Sequence, residues 1–221
     1  MKLFPALTLV AICLYSCQTK TNTLKNNDSI LIDNLEDTVQ SSQKTASASS
    51  RDSTRADLLS KQFLVLISNG IQIVNEQNGS SREISFGIDL NQMIEIVSKV
   101  LEIKPRSLGI NQECGAGPLQ MASWNNGLTL VFQQKNSQIN WQFAGWYMGD
   151  SPGSAIKLTT MAGIGIGSSR AEMESAYVVE VNKTTLGHEF STSSGLYGIF
   201  DGSGKDANIT SLWSGVSCNF R

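Results

Sequence analysis

One eight-residue phrase occurs twice in this chain, and it limits the fold more than any other feature. The first copy reads Phe86-Gly87-Ile88-Asp89-Leu90-Asn91-Gln92-Met93, the second Ile166-Gly167-Ser168-Ser169-Arg170-Ala171-Glu172-Met173. In each, an apolar run ends in glycine and a capping pair follows at the same phase: Asp89 with Gln92, Ser169 with Glu172. An acceptor at the N-cap, with a side chain three positions on that reaches back, satisfies the first free N–H groups of a helix. Methionine takes the first inward position of each helix. The first helix continues with Ile94, Ile96, Val97, Val100 and Leu101, an apolar stripe at the helical period. The second is shorter, with Ala176 and Tyr177, and runs into Val178-Val179-Glu180-Val181.

Strand-like runs surround both copies. Upstream, Phe63-Leu64-Val65-Leu66-Ile67 and Ile71-Gln72-Ile73-Val74 flank the turn Ser68-Asn69-Gly70, a hairpin signal. Asn78-Gly79 marks a second turn before residues 83–86. After the first copy come residues 128–132 and 139–143. After the second come 195–200, 209–213 and 216–220. The expected architecture is therefore α+β: two related units (about 58–150 and 151–221) of strand, Gly, capped helix and antiparallel strands. The helices are expected to pack on one face of the sheet.

Composition confines that body to part of the chain. Of 221 residues, the last 164 hold all 19 glycines and 14 of the 16 aromatics. Residues 18–57 are 31 parts in 40 Ser, Thr, Asn, Gln, Asp, Glu, Lys or Arg, with no aromatic, Gly or Pro. Such a segment cannot bury enough apolar area to offset its ordering entropy and is expected to be a disordered tether. The net charge of -2 gives no basic footprint for nucleic acid. A single histidine, His188, excludes any site that needs two imidazoles.

The N-terminus explains the tether. Lys2 precedes a mostly apolar stretch from Leu3 to Leu14, too short for a spanning helix, which needs about 20 residues. It fits the core of a secretory signal. Leu14-Tyr15-Ser16-Cys17 then resembles the bacterial lipobox. That resemblance implies a signal peptide over residues 1–16 and lipid (palmitate among its acyl chains) on Cys17. It also implies a chain held to a membrane of the cell envelope through that lipid. Tyr15 departs from the small or aliphatic residue usual at its position. Gln18 is not the Asp that resembles an inner-membrane retention signal, which favours the outer membrane in a diderm host. Two or three acyl chains anchor stably where one is marginal.

Cys114 and Cys218 are the cysteines left in the body. An oxidising envelope favours their pairing, and the bridge would tie one unit to the other. A redox or nucleophilic thiol is the weaker alternative, because neither lies in Cys-x-x-Cys and no second histidine could activate one.

Several catalytic patterns nearly appear. Gly149-Asp150-Ser151-Pro152-Gly153 matches the hydrolase elbow, but the residue after the serine must supply a backbone N–H and is proline. Ser154-Ala155-Ile156-Lys157 lacks the companion motifs of Ser-x-x-Lys enzymes. Gly163-Ile164-Gly165-Ile166-Gly167 has its third glycine one place early for a dinucleotide loop and reads as a strand against a close neighbour. Residues 201–206 lack the closing glutamate of a calcium loop. His188 and Glu189 are strand neighbours and point to opposite faces. No metal or other cofactor is expected.

The recurring Gly-x-Ser-x-x-Glu-Met phrase resembles the repeats of small outer-membrane lipoproteins of the SmpA/OmlA type and of the β-lactamase-inhibitor-protein fold. The likeness covers about ten residues per copy and implies a binding scaffold, not an enzyme. Glu113-Cys114-Gly115-Ala116-Gly117-Pro118, the 163–167 glycine run and Leu212-Trp213-Ser214-Gly215-Val216-Ser217-Cys218 resemble a group of uncharacterised bacterial lipoproteins. The expectation is an envelope lipoprotein acting as a binding or scaffold module, its partner an envelope protein or apolar ligand. Its candidate binding face is Trp141, Trp146 and Tyr147. The alternatives are an inhibitor of a secreted enzyme, and an unrecognised envelope hydrolase built on Ser151 or His188.

Overall fold

The computed structural model describes residues 61–134 and 140–218, all within one compact unit, Ser47–Arg221. The signal segment, Cys17 and the tether lie outside these residues. Among the described residues twelve strands and two helices follow in chain order: β1 (Gln62–Ile67), β2 (Gly70–Asn75), β3 (Ser81–Ser85), α1 (Leu90–Leu101), β4 (Ser107–Asn111), β5 (Leu119–Ser123), β6 (Leu128–Gln133) and β7 (Gln142–Gly149). The second half runs β8 (Thr159–Thr160), α2 (Arg170–Ala176), β9 (Val179–Thr184), β10 (Gly187–Thr192), β11 (Leu196–Phe200) and β12 (Ile209–Gly215).

This is a β-rich fold, and the α+β expectation is overturned. A four-stranded sheet, β3-β2-β1-β8, joins an eight-stranded sheet, β4-β5-β6-β7-β12-β11-β10-β9, around one main core. Among the described residues no helical layer covers the large sheet. Leu64, Leu66, Ile71, Ile73 and Ile84 of the small sheet share the main core cluster with Leu130, Phe132, Phe143, Trp146 and Met148 of the large one. β1 and β2 are near-continuous buried apolar runs, and Leu64, Leu66, Ile71 and Ile73 supply an apolar sheet face where two helices were expected. The second helix is also too short to form a layer. It spans seven residues and buries only Met173 before the β-favouring run 177–181 takes over. By contrast α1 buries Leu90, Met93, Val97 and Leu101 and packs chiefly against β1.

What recurs structurally is a backbone clip. Gly87 N–H donates to Phe143 carbonyl (2.7 Å), Phe143 N–H to Ile88 (2.8 Å) and Leu90 N–H to Trp141 (3.0 Å). In the second copy Gly167 N–H donates to Ile209 (2.8 Å), Ile209 N–H to Ser168 (2.9 Å) and Arg170 N–H to Ala207 (2.8 Å). The same three bonds strap each capped turn to the entry of β7 or β12. Gly87 and Gly167 both have positive φ (106° and 86°), which lets the chain turn out of the clip into the helix.

The two four-stranded meanders, β4–β7 and β9–β12, meet edge to edge. β7 and β12 are antiparallel, with Tyr147 opposite Trp213 at the middle of the shared register. Counting from the clip, Tyr147 stands six residues after Trp141 and Trp213 six after Ala207, so the pair lies on a local twofold axis. Small residues make the junction possible. A side chain at Gly145 would place its Cβ 2.0 Å from the Val216 carbonyl oxygen.

Cys114 and Cys218 form a disulfide, their Cα atoms 5.0 Å apart across 104 residues of sequence. The bridge joins the β4–β5 connection to the segment after β12. It packs with Leu119 and Val131 in a second, smaller apolar cluster that Met121 and Val216 border. Among the described residues no helix is long and apolar enough to cross a membrane.

Candidate functional site

The chain between β7 and β8 cannot continue the sheet. Pro152 has no N–H, Gly153 has φ +83°, and Ser154 folds back with its N–H on the Ser151 carbonyl at 3.2 Å. Residues 150–158 therefore form an irregular strap. A cleft opens on each side of that strap.

The larger cleft has a volume of about 610 Å³. One wall is the start of β1, where Leu64 turns into the core and leaves Phe63 45% exposed. A second is the last turn of α1, where Lys99 and Val100 reach the rim. The helix stops at Glu102 in a left-handed conformation (φ 58°, ψ 19°), and Pro105 follows. The third is the strap itself, with Ile156 36% exposed, Lys157 exposed and Leu158 buried beneath. Apolar surface thus lines the cleft and lysines stand at its edge. A volume of this size falls within the range typical of small-molecule sites, about 300–1,000 Å³.

The smaller cleft, about 460 Å³, is more polar, with Asp150, Ser151, Ser154 and Glu172 among its lining. Ser151 is committed locally: its Oγ donates to the Asn125 carbonyl. The residue after it, Pro152, offers no oxyanion donor. His188 and Glu189 occupy successive positions of β10 and so face opposite sides of the sheet. This arrangement holds no nucleophile, base and oxyanion donor in one place.

The three aromatic residues read from the sequence do not share a surface. A bulge at Ala144 shifts the register of β7 against β6. It leaves Trp146 and Met148 facing inward. Trp146 is fully buried, its Nε1–H donating to the Ile67 carbonyl at 2.8 Å. Trp141 is half-buried against the main core. Tyr147 faces the opposite side, where its hydroxyl pairs with that of Ser211 at 2.9 Å. Its cross-strand neighbour Trp213 stacks on Tyr197, with centroids 6.2 Å apart and planes 18° off parallel. The outer face thus joins Tyr147 to Trp213 and Tyr197, not to Trp141 and Trp146. Sequence reasoning missed the cleft, because its walls come from three distant segments and no local spacing announces them.

Next to the smaller cleft, α2 is held by charge. The Ser169 backbone N–H donates to Glu172 at 2.7 Å and its hydroxyl at 2.9 Å, which holds the Glu172 carboxyl below its ordinary value of 4.5. Glu174 is lowered too, first by its hydrogen bond from Lys205 and then by that from Arg170 (2.8 Å). A depressed carboxylate stabilises the fold above its unfolded pKa, and that stabilisation is lost as pH falls through the folded value. The urea midpoint is therefore expected to fall as pH drops below about 4.5. Ser169→Ala should cost about 1 kcal/mol near neutral pH. Glu172→Gln should flatten part of the acid limb, because the Ser169 backbone N–H that lowers this carboxyl most survives in Ser169→Ala; an unchanged acid limb in the Glu172→Gln variant would remove the assignment to this cap.

No protein-family model, no curated protein and no solved structure matches this chain.

Proposed function

We propose that this chain is a lipid-anchored envelope protein whose β-rich body binds a ligand without transforming it. The observation that carries the reading is the larger cleft: a hollow at the start of β1 in which Phe63, Val100 and Ile156 stand among polar and charged side chains. Phe63 and Ile156 are held partly open to solvent there, although burying each would contribute about 1.5–3 kcal/mol. Exposed apolar side chains gathered in a concavity, rather than scattered, are a mark of binding surfaces. The lipobox-like end of the chain and the polar tether support the anchor.

Two measurements test this reading. Labelled palmitate is expected to attach to the expressed chain and not to a Cys17→Ala variant; labelling of that variant overturns the anchor. For the cleft, the mature chain carrying Cys17→Ser is titrated with the neutral apolar probe N-phenyl-1-naphthylamine. Saturable binding at one site per chain is expected. Phe63→Glu with Ile156→Glu should remove it without lowering the unfolding midpoint, since both side chains reach solvent. Binding unchanged by that pair of substitutions overturns the cleft as the ligand site.

A further inference from the structure

We infer that the larger cleft takes a single-chain anionic amphiphile, a long-chain carboxylate held as a monomer. This deepens the binding reading above and rests on it. The chain as a whole carries a net charge of -2, yet the lining of this cleft holds Lys61, Lys99 and Lys157 against one acidic residue, Glu102. The local charge is opposite in sign to that of the molecule.

Lys99 and Lys157 make no ion pair among the described residues. Lys61 lies 3.8 Å from Glu76, with both side chains exposed, a pairing of little energy that a bound anion can replace. Lys99 already sits in the last turn of α1, where its charge suits the negative end of the helix. That helix end would repel an anion if the lysines were absent, so the carboxylate must sit on the side chains and not on the backbone.

The apolar wall fixes the remainder of the ligand. Phe63, Val100 and Ile156 line the cleft with hydrocarbon beside the three lysines and the amide of Gln62. A tail seated on these side chains leaves its head at the lysines. Lysine stems complete the hydrophobic lining while their charged ends stay in water.

The test uses the mature chain carrying Cys17→Ser with oleate and its uncharged counterpart oleyl alcohol, each displacing N-phenyl-1-naphthylamine below its aggregation limit. Oleate is expected to bind roughly threefold to tenfold more tightly than oleyl alcohol, the ratio that two or three exposed ion pairs supply together. The preference should shrink as salt rises to about 1 M, because the lysines are exposed and their field is screened. Lys99→Gln with Lys157→Gln should remove the oleate advantage while leaving oleyl alcohol unchanged. A misfolded variant cannot mimic this, since it would lose both ligands.

Equal affinity for the two ligands overturns the anionic assignment while the binding reading stands. Loss of probe, oleate and oleyl alcohol binding together overturns both. Adsorption to anionic phospholipid vesicles without saturable uptake of monomeric oleate assigns the lysines to a membrane surface and also overturns the proposal.

Discussion

Trp146→Ala is expected to destabilise the body by about 3–5 kcal/mol, the usual cost of emptying a large aromatic site in a core. Trp146 has no exposed surface, and it stands where the two sheets meet. Its indole N–H also ties the large sheet to the end of β1 through the Ile67 carbonyl. Truncation therefore leaves a cavity and an unpaired carbonyl at one place, and both terms have the same sign. For a body of this size each kcal/mol moves the melting temperature by roughly 2–4 °C. Chemical denaturation of wild type and variant reads the effect. Tyr147→Ala is the control, because its side chain lies on the other face and only half-buried. Equal losses for the two variants would contradict the inward and outward assignment made by the Ala144 bulge. The result also bears on interpretation: Trp146→Ala cannot serve as a binding-face variant, since any lost binding would follow from lost folding.

The second large effect belongs to the disulfide. Replacing Cys114 and Cys218 together with serine is expected to cost about 4–5 kcal/mol, because the closed loop exceeds 100 residues and the unfolded chain gains its freedom. The native state loses less. Leu119 and Val131 keep their apolar contacts with Met121 and Val216 around the former bridge. The signature is thus a lower urea midpoint with little change in native circular dichroism. Thiol counting on unreduced protein checks the premise, and two free thiols would contradict the bridge. A loss below about 1 kcal/mol would show that the unfolded ensemble is already compact near these residues. Probe binding at the larger cleft should survive in native conditions, since neither cysteine lines it.

Both effects concern residues that were conspicuous in the sequence, yet legibility differed between them. The cysteine pair was readable by arithmetic once Cys13 and Cys17, in the expected signal and lipobox-like segments, were set aside. The two capped turns were readable because capping is local chemistry: an acceptor, three residues, a returning side chain. Ser169 and Glu172 form the full box; at α1 the expected return of the Gln92 side chain is not part of the cap, and Asp89 alone accepts from the N–H groups of Asn91 and Gln92.

The class of the fold was not readable, and the reason lies in particular strands. Ser107-Leu108-Gly109-Ile110-Asn111 is an exposed edge with a glycine at its centre. Leu119-Gln120-Met121-Ala122-Ser123 has no β-branched or aromatic residue. Neither carries strand propensity, and both become β4 and β5 only because the strongly apolar β6 offers a partner. Without them the helices weigh too heavily, and the chain reads as α+β. Residues 216–220 erred the other way. They look like a strand, but β12 ends at Gly215, and residues 216–218 are irregular, with Cys218 in the disulfide.

The sequence by itself determined the local devices of this protein: two glycine-led helix caps, the β1–β2 hairpin, a cysteine pair, and an expected polar tether behind a lipobox-like cysteine. Each depends on residues within a few positions of one another, or on simple counting. The tertiary structure alone decided that a second sheet takes the place of a helical layer. It also decided that Trp146 and Tyr147 part company, and that Lys61, Lys99 and Lys157 surround one hollow. Those outcomes depend on which distant segments meet, and strand pairing is set by the partner as much as by the strand.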